Sequence, residues 1–146
     1  MEQGEKRILV VDDDNAIRAL LMTILRRRGL VVDVARNGAD ALERLDRCHY
    51  AVMLLDLMMP VMNGWEVLER IAKRENGSRP VIIVLTAGSE PRDLPSDLVA
   101  GTVRKPFDVD LLVDGVFACI AALTARDQPP DCPPAQSERN DRSKAN

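Results

Sequence analysis

Ile8-Leu9-Val10-Val11-Asp12-Asp13-Asp14 passes from four consecutive apolar residues straight into three carboxylates. An apolar run this short, with no polar alternation, reads as a strand buried on both faces, and such strands belong to parallel sheets covered by helices. Two further strand-like segments end in the same abrupt way: Ala51 to Leu55 closes at Asp56, and Gly101 to Arg104 runs into Lys105-Pro106. Ligand sites in open parallel sheets form just beyond the carboxyl ends of the strands, so the carboxylates and the lysine are expected to converge.

Outward from that first run, strand-like and helix-like patterns alternate, the signature of successive βαβ units. Strand one is expected at Arg7–Val11, followed by a helix carrying Ile17, Leu20, Leu21, Ile24 and Leu25 and stopping at Gly29. Strand two covers Leu30–Ala35; Asn37 and Gly38 then open a helix with Ala41, Leu42 and Leu45 inward. Tyr50–Asp56 is a central third strand, Leu57–Gly64 a loop containing Pro60, and Trp65–Lys73 a third helix burying Val67, Leu68 and Ile71. Strand four is Pro80–Leu85. Gly88, Pro91 and Pro95 leave room only for a short fourth helix near Ser96–Ala100. Gly101–Arg104 forms strand five, and Asp108 caps a final helix carrying Leu111, Leu112, Val116, Ile120 and Leu123.

The chain has 146 residues and a net charge of −3, enough for one well-filled domain and without the basic run that a nucleic-acid footprint requires. Arg26, Arg27 and Arg28 fall in the last turn of the first helix, where the dipole favours cations, and read as a solvated helix end. Cys48, Cys119 and Cys132 are widely spaced, without a CxxC pair, which suggests a reduced, cytoplasmic protein. No stretch approaches the about 18 apolar residues of a membrane span. The expected boundaries are a domain at 6–125 and a Pro-rich, polar tail at 127–146, too poor in apolar residues to order itself and too short for an output domain.

Clustered carboxylates repel one another unless a cation intervenes. Oxygen ligands without histidine or thiolate favour Mg2+, which keeps several waters and a phosphate oxygen in its shell. The pocket therefore anticipates a phosphoryl group. An ionised aspartate can attack phosphorus without a general base, while Lys105 and the Thr86 hydroxyl can hold equatorial oxygens. Lys105-Pro106 is a candidate cis peptide.

Taken together, Ile-Leu-Val-Val-Asp12-Asp13-Asp14, Leu-Leu-Asp56-Leu-Met-Met-Pro60-Val-Met-Asn63-Gly64, Leu-Thr86-Ala87 and Lys105-Pro106-Phe107 resemble the receiver domain of two-component response regulators. The resemblance implies a flavodoxin-like, doubly wound parallel sheet of five strands in the order 2-1-3-4-5, with five helices, which sets strands one and three side by side. It implies that Asp56 accepts phosphate from a sensor histidine kinase or phosphotransfer protein, and that Asp13 binds Mg2+ directly. Asp12 would do so largely through water, and the Met58 backbone carbonyl and Asp56 would complete the protein ligands. Thr86 and Lys105 would hold the phosphoryl group.

Two departures bear on output. Receivers commonly carry an aromatic residue three positions before the lysine, where this chain has Thr102, and the segment from Thr86 to Lys105 is short and rich in proline. Other residues read as structural: His49 as surface or packing, Trp65 as a packing anchor, Met53, Met58, Met59 and Met62 as core and loop packing, and Asp14 as a helix cap. The expectation is a single-domain response regulator that signals through protein contacts to an unidentified downstream target, with no nucleic-acid or membrane partner and a candidate phosphorylation-driven dimer. It would be no enzyme beyond its own phosphorylation and dephosphorylation. Two alternatives are a phosphorylation-independent adaptor, suggested by Thr102, and a haloacid-dehalogenase-type phosphatase, suggested by the Asp-x-Asp spacing of Asp12 and Asp14. The second lacks a cap insertion and a later acidic cluster.

Overall fold

The computed structural model describes residues 6–59, 61–74, 79–87 and 94–124. The strands are β1 (Arg7–Val11), β2 (Val31–Ala35), β3 (Val52–Asp56), β4 (Val81–Thr86) and β5 (Val99–Arg104). The helices are α1 (Asn15–Arg27), α2 (Gly38–Arg47), α3 (Gly64–Ala72) and α4 (Val109–Thr124). Every strand pair is parallel and the order is β2-β1-β3-β4-β5, the expected doubly wound sheet.

Side chains alternate across a strand, and both faces of this sheet are apolar. Ile8 and Val10 of β1 face α1 and α4, packing with Leu21, Leu25, Leu112, Val113 and Val116. Leu9 and Val11 face the other way, with Ala41, Leu45, Val67, Leu68 and Ile71 of α2 and α3. All five residues of β1 and of β3 are buried, which accounts for the unbroken apolar runs. Each fully buried Leu, Ile or Val contributes about 1.5–3 kcal/mol relative to exposure.

The helices begin where short polar side chains replace missing backbone partners. Asp14 caps α1, accepting from the Ala16 and Ile17 amides at 2.8 and 3.1 Å. Asn37 caps α2, and Asn63 forms a reciprocal capping box with Glu66 at the start of α3. Asp108 accepts from the amides of Asp110 and Leu111 at the head of α4, as expected. After α1 the chain reverses at Gly29, whose φ of +92° is open to glycine at little cost.

Several expectations need correction. The helix expected at Ser96–Ala100 is a single turn over Ser96–Leu98, and Val99 and Ala100 already belong to β5. Leu98 is buried against the α2–α3 face and Val99 pairs with Ile82, so burial and strand pairing outweigh one isolated helical turn. The described helices thus number four rather than five. The arginine cluster is not merely solvated: Arg26 donates to the Val32 carbonyl at 2.9 Å, and the Arg28 guanidinium lies 4.8 Å from the Phe117 ring centroid. Met58 and Leu20 are exposed, and Trp65 is a little over one-third exposed (37%). Cys119 is a free thiol, whereas Cys48 is disulfide-bonded, against the expectation of a reduced chain. Pro60, Gly88, Pro91, Cys132, the Leu123 side chain and the expected tail at 127–146 lie outside the described residues.

Candidate functional site

Register brings the strand ends together. Val11 pairs with Leu55, so Asp12 and Asp56 each stand one residue beyond that pair on adjacent strands. On the other side of β3, Asp56 pairs with Leu85, which puts Thr86 at the next position of β4. β5 carries one extra residue between its pairings with Ile82 and Ile83, where the register shifts from Val99 to Gly101. After that bulge Arg104 pairs with Thr86, and the Lys105 amide donates to the Thr86 carbonyl at 2.7 Å. The Lys105-Pro106 bond is cis.

A carboxylate oxygen from each of Asp12, Asp13 and Asp56 lies within 4.8 Å of the others. Asp12 and Asp56 are buried, while Asp13 is exposed at the rim. Lys105 reaches in from the fifth strand, donating to Asp12 Oδ2 at 2.8 Å and standing 3.6 Å from Asp56 Oδ2. The Met58 amide donates to Asp56 Oδ1 at 3.1 Å, so the backbone just after the strand turns back over its terminal carboxylate. Thr86 is buried at the floor of the same strand end.

Three carboxylates facing one ammonium leave negative charge uncompensated in a desolvated place. Asp56 registers it: burial first, and the neighbouring Asp12 charge second, push its carboxyl up to about 6, although the Met58 amide and Lys105 pull the other way. Burial alone would lower Lys105, but its hydrogen bond to Asp12 and the charges of Asp12 and Asp56 hold it above its usual value. A hard cation with oxygen preference fits this donor set: it would sit among three carboxylate oxygens close enough to share it, and would relieve their repulsion.

The structure thus brings Asp12, Asp13, Asp56, Thr86 and Lys105 to one end of the sheet, with Met58 beside them. Thr102 lies elsewhere, part-buried in β5 opposite Val84, two pairs before the strand end. His49 is half-buried ahead of β3, at the opposite end of that strand from Asp56.

Sequence reasoning missed Arg18. Its NH1 donates to the Asp12 carbonyl at 2.7 Å and its NH2 to Asn15 Oδ1. The only signal was the Asn15–Arg18 spacing of three on a helix face. Also missed was a buried trio remote from the pocket: Arg7 and the Tyr50 hydroxyl both donate to Asp33 Oδ2, at 3.3 and 2.6 Å.

Against known families, residues 8–117 match the model of the response regulator receiver domain. Among curated proteins, the chain is 41% identical over 109 residues to the transcriptional regulatory protein ResD of Bacillus subtilis, covering 73% of this chain and 44% of that protein. It is 39% identical over 132 residues to the response regulator MprA of Mycobacterium leprae, covering 86% and 54%. The chain therefore spans about half the length of these relatives. Among solved structures, the response regulator TrrA of Thermotoga maritima, in complex with Mg2+ and BeF, is 40% identical with a TM-score of 0.70, covering 78% of this chain and 98% of that one. A CheY-like receiver domain from Methanospirillum hungatei is 27% identical with a TM-score of 0.75, covering 84% and 100%.

Proposed function

Given that the chain belongs to the response regulator receiver family, we propose that it is a phosphoacceptor in which Asp56 takes a phosphoryl group from a sensor histidine kinase or phosphotransfer protein. The observation that carries this is the meeting of Asp12, Asp13, Asp56 and Lys105 at one strand edge, 93 residues apart at the extremes of the Asp12–Lys105 contact. An Asp56 carboxylate oxygen forms the new O–P bond as the P–N bond to the donor histidine breaks, and the imidazole departs with the electron pair. Lys105 neutralises a phosphoryl oxygen, and the Thr86 hydroxyl donates to another. Asp12, Asp13, Asp56 and the Met58 carbonyl are the proposed Mg2+ ligands. Bound there, the ion supplies charge neutralisation for the carboxylates and the phosphoryl oxygens.

We assign the receiver to residues 6–125, supported by the family match at 8–117, and a separate tail to 127–146. Among the described residues no helix is long and apolar enough to cross a membrane, and a cytoplasmic setting suits a partner that is a kinase domain. The expectation of no nucleic-acid partner rests on charge alone; the relatives named as transcriptional regulators extend well beyond the matched segment. Thr102 supports a readout that does not run through an aromatic swing on β5, and a phosphorylation-driven dimer and a protein target are the proposed outputs. Family membership disfavours the phosphatase alternative.

The test is incubation with Mg2+ and acetyl phosphate, followed by mass spectrometry. One phosphate on the chain, base-labile and lost in Asp56→Asn, is the expected result. An unmodified wild type would favour the adaptor, and continued turnover of donor dependent on Asp12 would favour the phosphatase.

A further inference from the structure

Every polar group of Asp12 is held. Its amide donates to the Ala35 carbonyl at 3.2 Å, its Oδ1 accepts from the Asp14 amide at 2.9 Å, and its Oδ2 accepts from Lys105. The fourth group, the main-chain carbonyl, accepts from Arg18 at 2.7 Å. Asp13 is the opposite case: exposed, at the rim of the acidic pocket, with its carboxylate close to those of Asp12 and Asp56. Its side chain meets Asp56, and where that side chain starts is set by its own backbone. That backbone lies between a peptide gripped by Arg18 and an amide gripped by Asp12.

Arg18 is also unusual in what it avoids. A guanidinium fork matches carboxylate geometry and is well suited to pair with the acids nearby. Among the described residues Arg18 forms no ion pair, and its two arms go to a main-chain carbonyl and to the Asn15 side chain. The planar fork bridges acceptors on both sides of Asp14, the cap of α1, and so ties the start of the helix to the end of β1.

We propose that Arg18 is a positioning residue for the cation site, acting through the Asp12–Asp13 peptide rather than by touching the ion. This rests on the metal-assisted phosphoacceptor reading above. Holding the peptide still removes an ordering cost that Asp13 would otherwise meet when it binds Mg2+. Positioning and plain electrostatics predict opposite signs. A nearby positive charge repels Mg2+, so if charge were all that mattered, Arg18→Met would bind the ion more tightly; if positioning dominates, it binds more weakly.

Calorimetric titration of the full chain with Mg2+ separates these. Arg18→Met is expected to weaken affinity about tenfold, the lower end of what residues supporting metal ligands are worth. Arg18→Lys, which can reach one acceptor but not both, should recover part of the loss, and Asn15→Ala, which frees one arm, should show a smaller loss. Native or tighter Mg2+ binding by Arg18→Met overturns the assignment. Should that variant fail to fold in metal-free buffer, native affinity in both Arg18→Lys and Asn15→Ala overturns it instead. Wild-type protein that binds no Mg2+, or binds it equally well as Asp13→Asn, sinks the reading of the site itself and with it this inference.

Discussion

Lys105 Nζ stands 2.8 Å from Asp12 Oδ2 and 3.6 Å from Asp56 Oδ2, so the ammonium is committed chiefly to the carboxylate that is not the proposed acceptor. Lysine and a divalent cation bound there would compete for Asp12, and a phosphoryl group on Asp56 would compete with Asp12 for the lysine. One cationic side chain would then link the metal-free form to the proposed phosphorylated form through a choice of partner.

Lys105→Met should therefore lose stability in metal-free buffer, because it leaves the fully buried Asp12 charge without its ammonium; removing one partner of a buried pair costs about 3 kcal/mol. The same variant should bind Mg2+ at least as tightly as wild type, since the competitor is gone. Chemical denaturation with chelator, and calorimetric Mg2+ titration, measure the two effects. Unchanged stability would mean that Lys105 contributes nothing to holding the carboxylates.

Asp56 gives a pH dependence with a definite sign. Its folded-state carboxyl is raised from the ordinary 3.8 to about 6, so the folded state binds the extra proton between those values. Its contribution favours folding fully below about pH 4 and is lost as pH rises through about 6. Above that, ionised Asp56 opposes folding by about 1–3 kcal/mol. In metal-free buffer Asp56→Asn should raise the melting temperature at about pH 7.5, and its advantage should vanish near pH 4. Equal differences at both pH values would contradict the raised carboxyl.

Magnesium should offset that same repulsion. At a concentration about ten times its dissociation constant it should add roughly 1.4 kcal/mol to the wild type, and much less to Asp13→Asn. Thermal melts with Mg2+ against matched ionic strength without it provide the measurement.

The Arg7–Asp33–Tyr50 trio predicts stability effects without functional ones. Burial, and then the Asp33 carboxylate, push the Tyr50 phenol far up, so it stays protonated and donates. Tyr50→Phe should cost about 1.5–3 kcal/mol, the worth of a buried hydrogen bond to a charge. Asp33→Ala should cost at least as much, because it removes the acceptor that Arg7 and Tyr50 share. Neither should alter Mg2+ affinity, since Tyr50 precedes β3 at the end opposite Asp56. A shift in metal binding would reveal a coupling along the strand.

Gly64 packs against the backbone of Asp56 and Leu57: a Cβ there would lie 2.8 Å from the Asp56 carbonyl oxygen and 2.7 Å from the Leu57 Cα. Gly64→Ala must displace the start of α3 or the β3 terminus, at about 1–3 kcal/mol. It should also slow phosphorylation by acetyl phosphate, whereas Gly29→Ala, which meets open space, should lower stability through its φ alone and leave phosphorylation unchanged.

Long apolar runs closing in charge made the sheet and the acidic edge readable from the chain alone. Ile8–Val11 and Val52–Leu55 could only be buried on both faces, and Asp12, Asp13, Asp56, Thr86 and Lys105 all stand at strand ends. Segments with weak local preference were less legible. Ser96–Ala100 offered a turn of helix locally, but Val99 found a partner in Ile82 and Leu98 a place in the core. Asn63 belongs by composition to a loop, yet Glu66 three positions on is the signature of the capping box that it forms.

Hydrophobic pattern by itself determined the layers, the parallel strands and the end of the sheet where charge would gather, because burial of apolar surface depends on periodicity and needs no knowledge of partners. Tertiary structure alone decided which groups pair: Lys105 with Asp12 rather than Asp56, Arg18 with a main-chain carbonyl, Tyr50 and Arg7 with Asp33. Hydrogen bonds and ion pairs are short-ranged and directional, so their partners are set by strand register, by a one-residue bulge in β5 and by helix caps that bring distant residues within about 3 Å of one another.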